Sequence, residues 1–167
     1  APVMDRGPRL KVVGRHGVGY DAIDIDAATA RGIQVVYTPG ANTQSVAEHV
    51  FAMMIGLSKH FTRMARAVDA YDYHARTRWT GRDLFGRSLG IVGFGRIGRR
   101  VGAMARAGFD MTVRYHDIVA APPDVEASAG AVRVGFEEVL RTSEYVTLHV
   151  PLDASTRGMI DRRALAL

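Results

Sequence analysis

The chain has no cysteine and a single tryptophan among its 167 residues, and of its 22 basic residues only Lys11 and Lys59 are lysine. Without cysteine there is no disulfide, no thiolate zinc site and no thiol nucleophile. That suits a reducing compartment, and a cytoplasmic location is expected. No apolar run approaches the roughly 18 residues a membrane span needs, so no membrane partner is expected. The opening residues, Ala1-Pro2-Val3-Met4-Asp5, lack both an initiator Met and the layout of a signal peptide. Runs of like charge are missing too. The formal charge of +5 is spread along the chain with no interleaved aromatic platform, so no nucleic-acid partner is expected. The six histidines, His16, His49, His60, His74, His116 and His149, show no metal-ligand spacing, and no metal is expected. An apolar fraction of 47% remains, enough for one ordinary globular domain or a domain plus a fragment.

What is present is organised around Leu89 to Gly98. A short apolar run reads as a buried strand, and glycines follow at Gly93, Gly95 and Gly98 with G-x-G-x-x-G spacing. Arg99 to Arg106 reads as a helix. Gly93 lets the chain turn off the strand, Gly95 lets backbone approach a pyrophosphate, and Gly98 lets helix pack on strand. The free N–H groups and the dipole of the helix start favour an anion there. Met111 to His116 reads as the next strand, and Asp117 lies 19 positions beyond Gly98. A carboxylate at about that distance takes the adenosine ribose hydroxyls and repels a 2′-phosphate, which favours NAD over NADP. Arg114, three residues away on the strand, is set aside as a 2′-phosphate ligand.

Around this corner the chain alternates strand and helix. Strands are expected at 9–13, 33–37, 89–92, 111–116, 132–134 and 145–150. Residues 14–21 form a glycine-rich loop. Helices are expected at 24–31, closed by Gly32, from Val46 to about His60, at 61–71, 99–106, 136–141 and 155–167. Ser45-Val46-Ala47-Glu48 reads as a capping box. The helix it opens is apolar nearly all round, so it is expected between two domains or at a subunit interface, with His49 in the core or interface. Residues 73–83 form a polar arm around Trp79, and Ala121-Pro122-Pro123 breaks the chain. Alternating strands and helices imply an α/β fold with a parallel sheet. Gly86-Arg87-Ser88-Leu89-Gly90 matches G-x-S-x-G, but the strand follows Ser88 rather than preceding it, so no nucleophile is assigned there. His149 ends a strand at the ligand-facing edge of a parallel sheet, where it either packs or lies near a cofactor.

Several stretches together resemble the D-2-hydroxyacid dehydrogenases, most of all the phosphoglycerate-dehydrogenase-like branch. They are Leu10 to Asp21, Val36 to His49, Leu89 to Gly98 and Leu148 to Leu152. The resemblance implies a partial doubly wound parallel sheet, the first half of a Rossmann-like NAD domain over 43–167. A fragment of a flavodoxin-like substrate domain would precede it over 1–42. It implies NAD as cofactor, with Gly93, Gly95, Arg96, Ile97 and Gly98 at the pyrophosphate and Asp117 at the ribose. His149, Val150 and Pro151 would line the adenine side. Arg15, Gly17, Val18 and Gly19 would meet the substrate carboxylate, Val18 also lying near the nicotinamide. The helix from Ser45 to His60 would cross between domains and contact a second subunit, making the full-length parent a homodimer.

Tyr37 and His116 depart from the family's usual Asn and Tyr. The family's catalytic arginine, glutamate and histidine would fall beyond Leu167, so no residue here is assigned a catalytic role. The chain then reads as the middle of a dehydrogenase truncated at both ends, unable by itself to interconvert a D-2-hydroxy acid and a 2-keto acid. Its strand at 145–150 would be an uncovered apolar edge. A non-catalytic NAD-sensing or partner-binding module on the same scaffold is the alternative.

Overall fold

The computed structural model of the protein describes residues 2–167; Ala1, placed above in the first segment, lies outside them. The chain divides into two compact units, one holding the residues up to Thr43 with Pro151–Arg157, the other Gln44–Val150 with Gly158–Leu167.

The first unit contains α1 (Pro2–Asp5), β1 (Val12–Arg15), α2 (Ile25–Ala30) and β2 (Gln34–Tyr37). β1 and β2 pair in parallel, from Val12 opposite Gln34 to Arg15 opposite Tyr37. The strand expected at 9–13 is thus shifted. Leu10 N–H donates to Gly7 O at 2.8 Å and folds 7–10 into a turn, while Gly14 and Arg15, expected in a loop, pair in the sheet. α2 forms as expected. The Asp24 carboxylate caps it through Ala27 N–H at 2.9 Å, and Gly32, at φ +65°, takes the left-handed position just past its end.

The second unit is entered through α3 (Thr43–Ser58), followed by α4 (Phe61–Asp69) and α5 (Ala75–Arg78). Then come β3 (Ser88–Val92), α6 (Arg96–Phe109), β4 (Thr112–His116), α7 (Pro123–Ala129), β5 (Ala131–Arg133), α8 (Phe136–Thr142) and β6 (Tyr145–Leu148). All four strands run parallel in the order β5-β4-β3-β6. Successive residues of β3 face opposite sides. A Cβ on Gly90 would meet Val139 of α8 and Ser143 just past its end, whereas the Ile91 side chain lies against Gly98 and Gly102 of α6. Helices therefore cover both faces of the sheet, which accounts for the near-complete burial of β3.

Two expectations need correction. The capping box does not form: α3 begins two residues before Ser45, and the Glu48 carboxylate accepts from Gln44 Nε2 at 2.6 Å. Within the single chain, α3 is not covered all round. Ala47, Val50, Phe51 and Met54 join the core of the second unit, but Met53 and Leu57 are 51% and 74% exposed, and His49 is exposed. The helix expected over 155–167 is absent apart from a single 3-10 turn at Ala164–Ala166. Asp153 caps one turn, accepting from Ser155 N–H at 2.8 Å and Thr156 N–H at 3.1 Å, and Gly158 at φ +70° ends it.

Candidate functional site

The chain leaves β3 at Gly93, whose φ of +92° is a conformation L side chains rarely adopt. A Cβ there would stand 2.7 Å from the His149 carbonyl carbon and 2.9 Å from Val150 N. Gly93 N–H donates to His116 O at 2.8 Å, and His149 N–H donates to Val92 O at 2.7 Å. The carboxyl ends of β3, β4 and β6 are thereby laced together where strand order reverses, the place where open parallel sheets bind ligands. A methyl group on Gly98 would collide with the Gly93 carbonyl oxygen, so α6 rests directly on the turn.

Gly95 differs from the other two. Its φ of −75° suits any residue, and a Cβ there would have nothing within 4 Å. No side chain caps α6 at this position. The first N–H groups of the helix, from Arg96, Ile97 and Gly98, have no intrahelical acceptor. Open space thus faces unmet donors at the positive end of a 14-residue helix, an arrangement suited to an anion. Arg96 is exposed at this end and Ile97 half-buried. Arg99 Nε donates to Phe94 O at 2.9 Å and stiffens the turn.

Asp117 follows β4 and bonds back to the glycine turn. Its Oδ2 accepts from Phe94 N–H at 2.6 Å and its Oδ1 from Val119 N–H at 3.1 Å. Two side chains not singled out from the sequence fix this segment. Arg133 Nη2 donates to the Asp117 and Ile118 carbonyls at 2.9 and 3.3 Å. Tyr115, fully buried, stacks on Phe94 with ring centroids 4.1 Å apart. Its hydroxyl donates to Glu126 Oε1 at 2.6 Å and accepts from Ala121 N–H at 2.9 Å. Burial, reinforced by the Glu126 carboxylate, pushes this phenol above its usual range. Beside the clamped backbone, Ile118 is 92% exposed, an apolar side chain left open next to the carboxylate. Across the corner, His149 is half-buried with Nε2 3.1 Å from Thr147 Oγ1, and burial holds its imidazole below the usual histidine range. Val150 beside it is half-buried.

The second unit therefore gathers Gly93, Gly95, Arg96, Ile97, Gly98, Asp117, His149 and Val150 at one edge of its sheet. Arg15, Gly17, Val18, Gly19 and Pro151 belong to the first unit. There, Gly17 at φ +138° is held by Thr38, whose N–H donates to Gly17 O at 3.1 Å and whose hydroxyl faces Gly17 N at 3.2 Å. Arg15 Nε donates to Gly19 O at 2.9 Å. Ser88 takes no part in any such cluster: its hydroxyl accepts from Glu144 N–H at 3.0 Å within the sheet. The Phe94 backbone donor carried no sequence signal. Arg133 could have been found by noting that it ends the strand beside the one Asp117 follows.

The donors and open space at the helix start, with a carboxylate fixed beside them, fit the pyrophosphate and ribose of a dinucleotide. Comparison with known proteins points the same way. Residues 51–167 match the sequence model of the "D-isomer specific 2-hydroxyacid dehydrogenase, NAD binding domain". The chain is 42% identical over 160 residues to a D-3-phosphoglycerate dehydrogenase of Bacillus subtilis (strain 168), covering 94% of this chain and 29% of that protein. It is 38% identical over 174 residues to a glyoxylate reductase of Korarchaeum cryptofilum, covering 99% of this chain and 50% of that one. The solved D-lactate dehydrogenase of Aquifex aeolicus, complexed with NAD and lactic acid, superposes with a TM-score of 0.88 at 34% identity. That match covers 99% of this chain and 49% of the other. The chain thus spans between 29% and 50% of the length of these relatives.

Proposed function

The chain belongs to the D-isomer specific 2-hydroxyacid dehydrogenase family, and from that premise we propose that it is the NAD-holding part of an enzyme interconverting a D-2-hydroxy acid and a 2-keto acid. The observation that carries this is the uncapped start of α6, open at Gly95, with Asp117 tied to the same turn through Phe94 N–H. The N–H groups of Arg96, Ile97 and Gly98 would hold the pyrophosphate, and the close approach at Gly93 and Gly98 keeps them aimed. Asp117 would accept from the adenosine ribose hydroxyls. His149, Val150 and Pro151 would line the adenine side. A neutral His149, in keeping with its burial, adds no charge to that wall. Arg15, Gly17, Val18 and Gly19 would serve the substrate carboxylate, with Val18 beside the nicotinamide. The nicotinamide, when bound, supplies the hydride acceptor or donor.

No residue of the chain is assigned the acid–base or carbonyl-orienting role that hydride transfer requires, so the 167 residues alone are inactive in this proposal. The exposed apolar residues Met53 and Leu57 of α3 and Phe61 and Val68 of α4 would be covered by a second copy in the full-length protein. Lack of cysteine accords with a cytoplasmic site of action. The test is twofold. Asp117→Ala should weaken NAD more than NADP, and equal losses for both contradict the ribose assignment. The chain should give no rate with NAD and 3-phosphoglycerate, glycerate or lactate; a rate abolished by Gly95→Asp contradicts the inactivity.

A further inference from the structure

We propose that Arg133 makes the ribose corner a two-coenzyme site, its guanidinium carrying the 2′-phosphate of NADP while Asp117 takes the 2′-hydroxyl of NAD. This rests on the dinucleotide assignment above and extends it. β5 lies beside β4 in parallel, and Arg133, its last residue, is in register with Tyr115, two residues before Asp117. The side chain reaches forward to the mouth of the sheet, where Nη2 bonds the Asp117 and Ile118 carbonyls at 2.9 and 3.3 Å. Its charge is therefore fixed on the backbone of the residue whose carboxylate meets the ribose. It does not cancel that carboxylate: among the described residues no ion pair joins Arg133 to Asp117. Arg133 is exposed, and its Nη1 and Nε have no hydrogen-bond partner among the described residues.

A 2′-phosphate adds a charge of about −1.5 to −2 at neutral pH, which Asp117 alone would repel. A guanidinium fork matches a phosphate bidentately, and one anchored nitrogen leaves the remainder of the fork for that contact. Arg114 sits one strand position deeper, opposite Gly90 and Val132, and so faces the other side of the sheet from Tyr115 and Arg133. NAD remains the preferred coenzyme because its hydroxyl satisfies Asp117 directly. NADP is admitted because Arg133 offsets the repulsion. An arginine that only tied down two carbonyls would instead affect both coenzymes alike.

Calorimetric titration of the whole chain with NAD and with NADP separates these roles. Arg133→Gln is expected to weaken NADP about tenfold and NAD less than about threefold. Arg133→Lys, which keeps the charge, should hold NADP within about threefold of the parent. Asp117→Ala should shift the ratio of the two affinities toward NADP, and adding Arg133→Gln should remove that shift. Equal losses for both coenzymes in Arg133→Gln, or an NADP affinity indifferent to residue 133, overturn the proposal. A parent chain that binds NAD but not NADP overturns it alone; one that binds neither also overturns the dinucleotide assignment. Unchanged circular dichroism of each variant separates lost binding from lost fold.

Discussion

A methyl group at position 98 has no room, because the Gly93 carbonyl oxygen already occupies its place. Gly98→Ala must push α6 off the turn, and a loss of about 1–3 kcal/mol is expected, read as a lower urea midpoint at unchanged slope. Gly95→Ala meets nothing within 4 Å and should leave the midpoint where it is. The G-x-G-x-x-G spacing alone distinguished these roles, and the distance to Asp117 was visible in the same way. What tied Asp117 to the turn was not visible, since the donor is the backbone N–H of Phe94, which any residue but proline would supply. His149 makes a residue-scale statement about pH. Burial lowers its pKa in the folded chain, so below the ordinary value of 6.5 the unfolded chain binds the extra proton first. Its contribution to stability is therefore full above that value and lost as pH falls through and below it. Thermal unfolding at pH 7 and pH 5.5 should show a smaller drop in His149→Gln than in the parent; equal drops would mean that His149 is not the group responsible.

Elements were legible where a hydrophobic period ran unbroken, and misread where side-chain hydrogen bonds or proline set the boundary. β3, β4 and α6 lie where the apolar pattern placed them, with α6 three residues longer at each end than the expected 99–106. α7 escaped notice because Pro122-Pro123 reads as a break, whereas Pro123 opens that helix from its first turn and Gly130, at φ +54°, closes it. The 155–167 segment carried a plausible composition for a helix, but the single turn that Asp153 caps is ended by Gly158 at φ +70°. Among the described residues β6 occupies a sheet edge, paired with β3 alone, with Val146 and Leu148 40% and 46% exposed. Beside them Leu140, Ile160 and Leu165 line an apolar groove of about 320 Å³. An exposed apolar edge invites pairing between copies. The chain should self-associate with rising concentration in sedimentation velocity, and Val146→Lys should suppress this; association unaltered by the lysine would place the contact elsewhere.

At the scale of the molecule, the sequence pointed to an α/β chain with a parallel sheet, and the structure has two parallel sheets, one of two strands and one of four. The division into units was not legible in full: Pro151–Arg157 group with the first unit although they follow the last strand of the second. Contacts between segments far apart in the chain decide such a division, and no local pattern encodes them. Everything that recommends a dinucleotide site in the second unit converges on the start of α6. Titration of the chain with NAD, with and without Gly95→Asp, tests this most directly. Saturable binding is expected, with a Kd within the roughly 1 μM–1 mM range common for metabolite sites. It should vanish when the carboxylate introduced by that substitution enters the open space, with the circular dichroism unchanged. A folded chain that shows no saturable binding, or one that binds NAD equally well with Gly95→Asp, would contradict a dinucleotide site at this helix start.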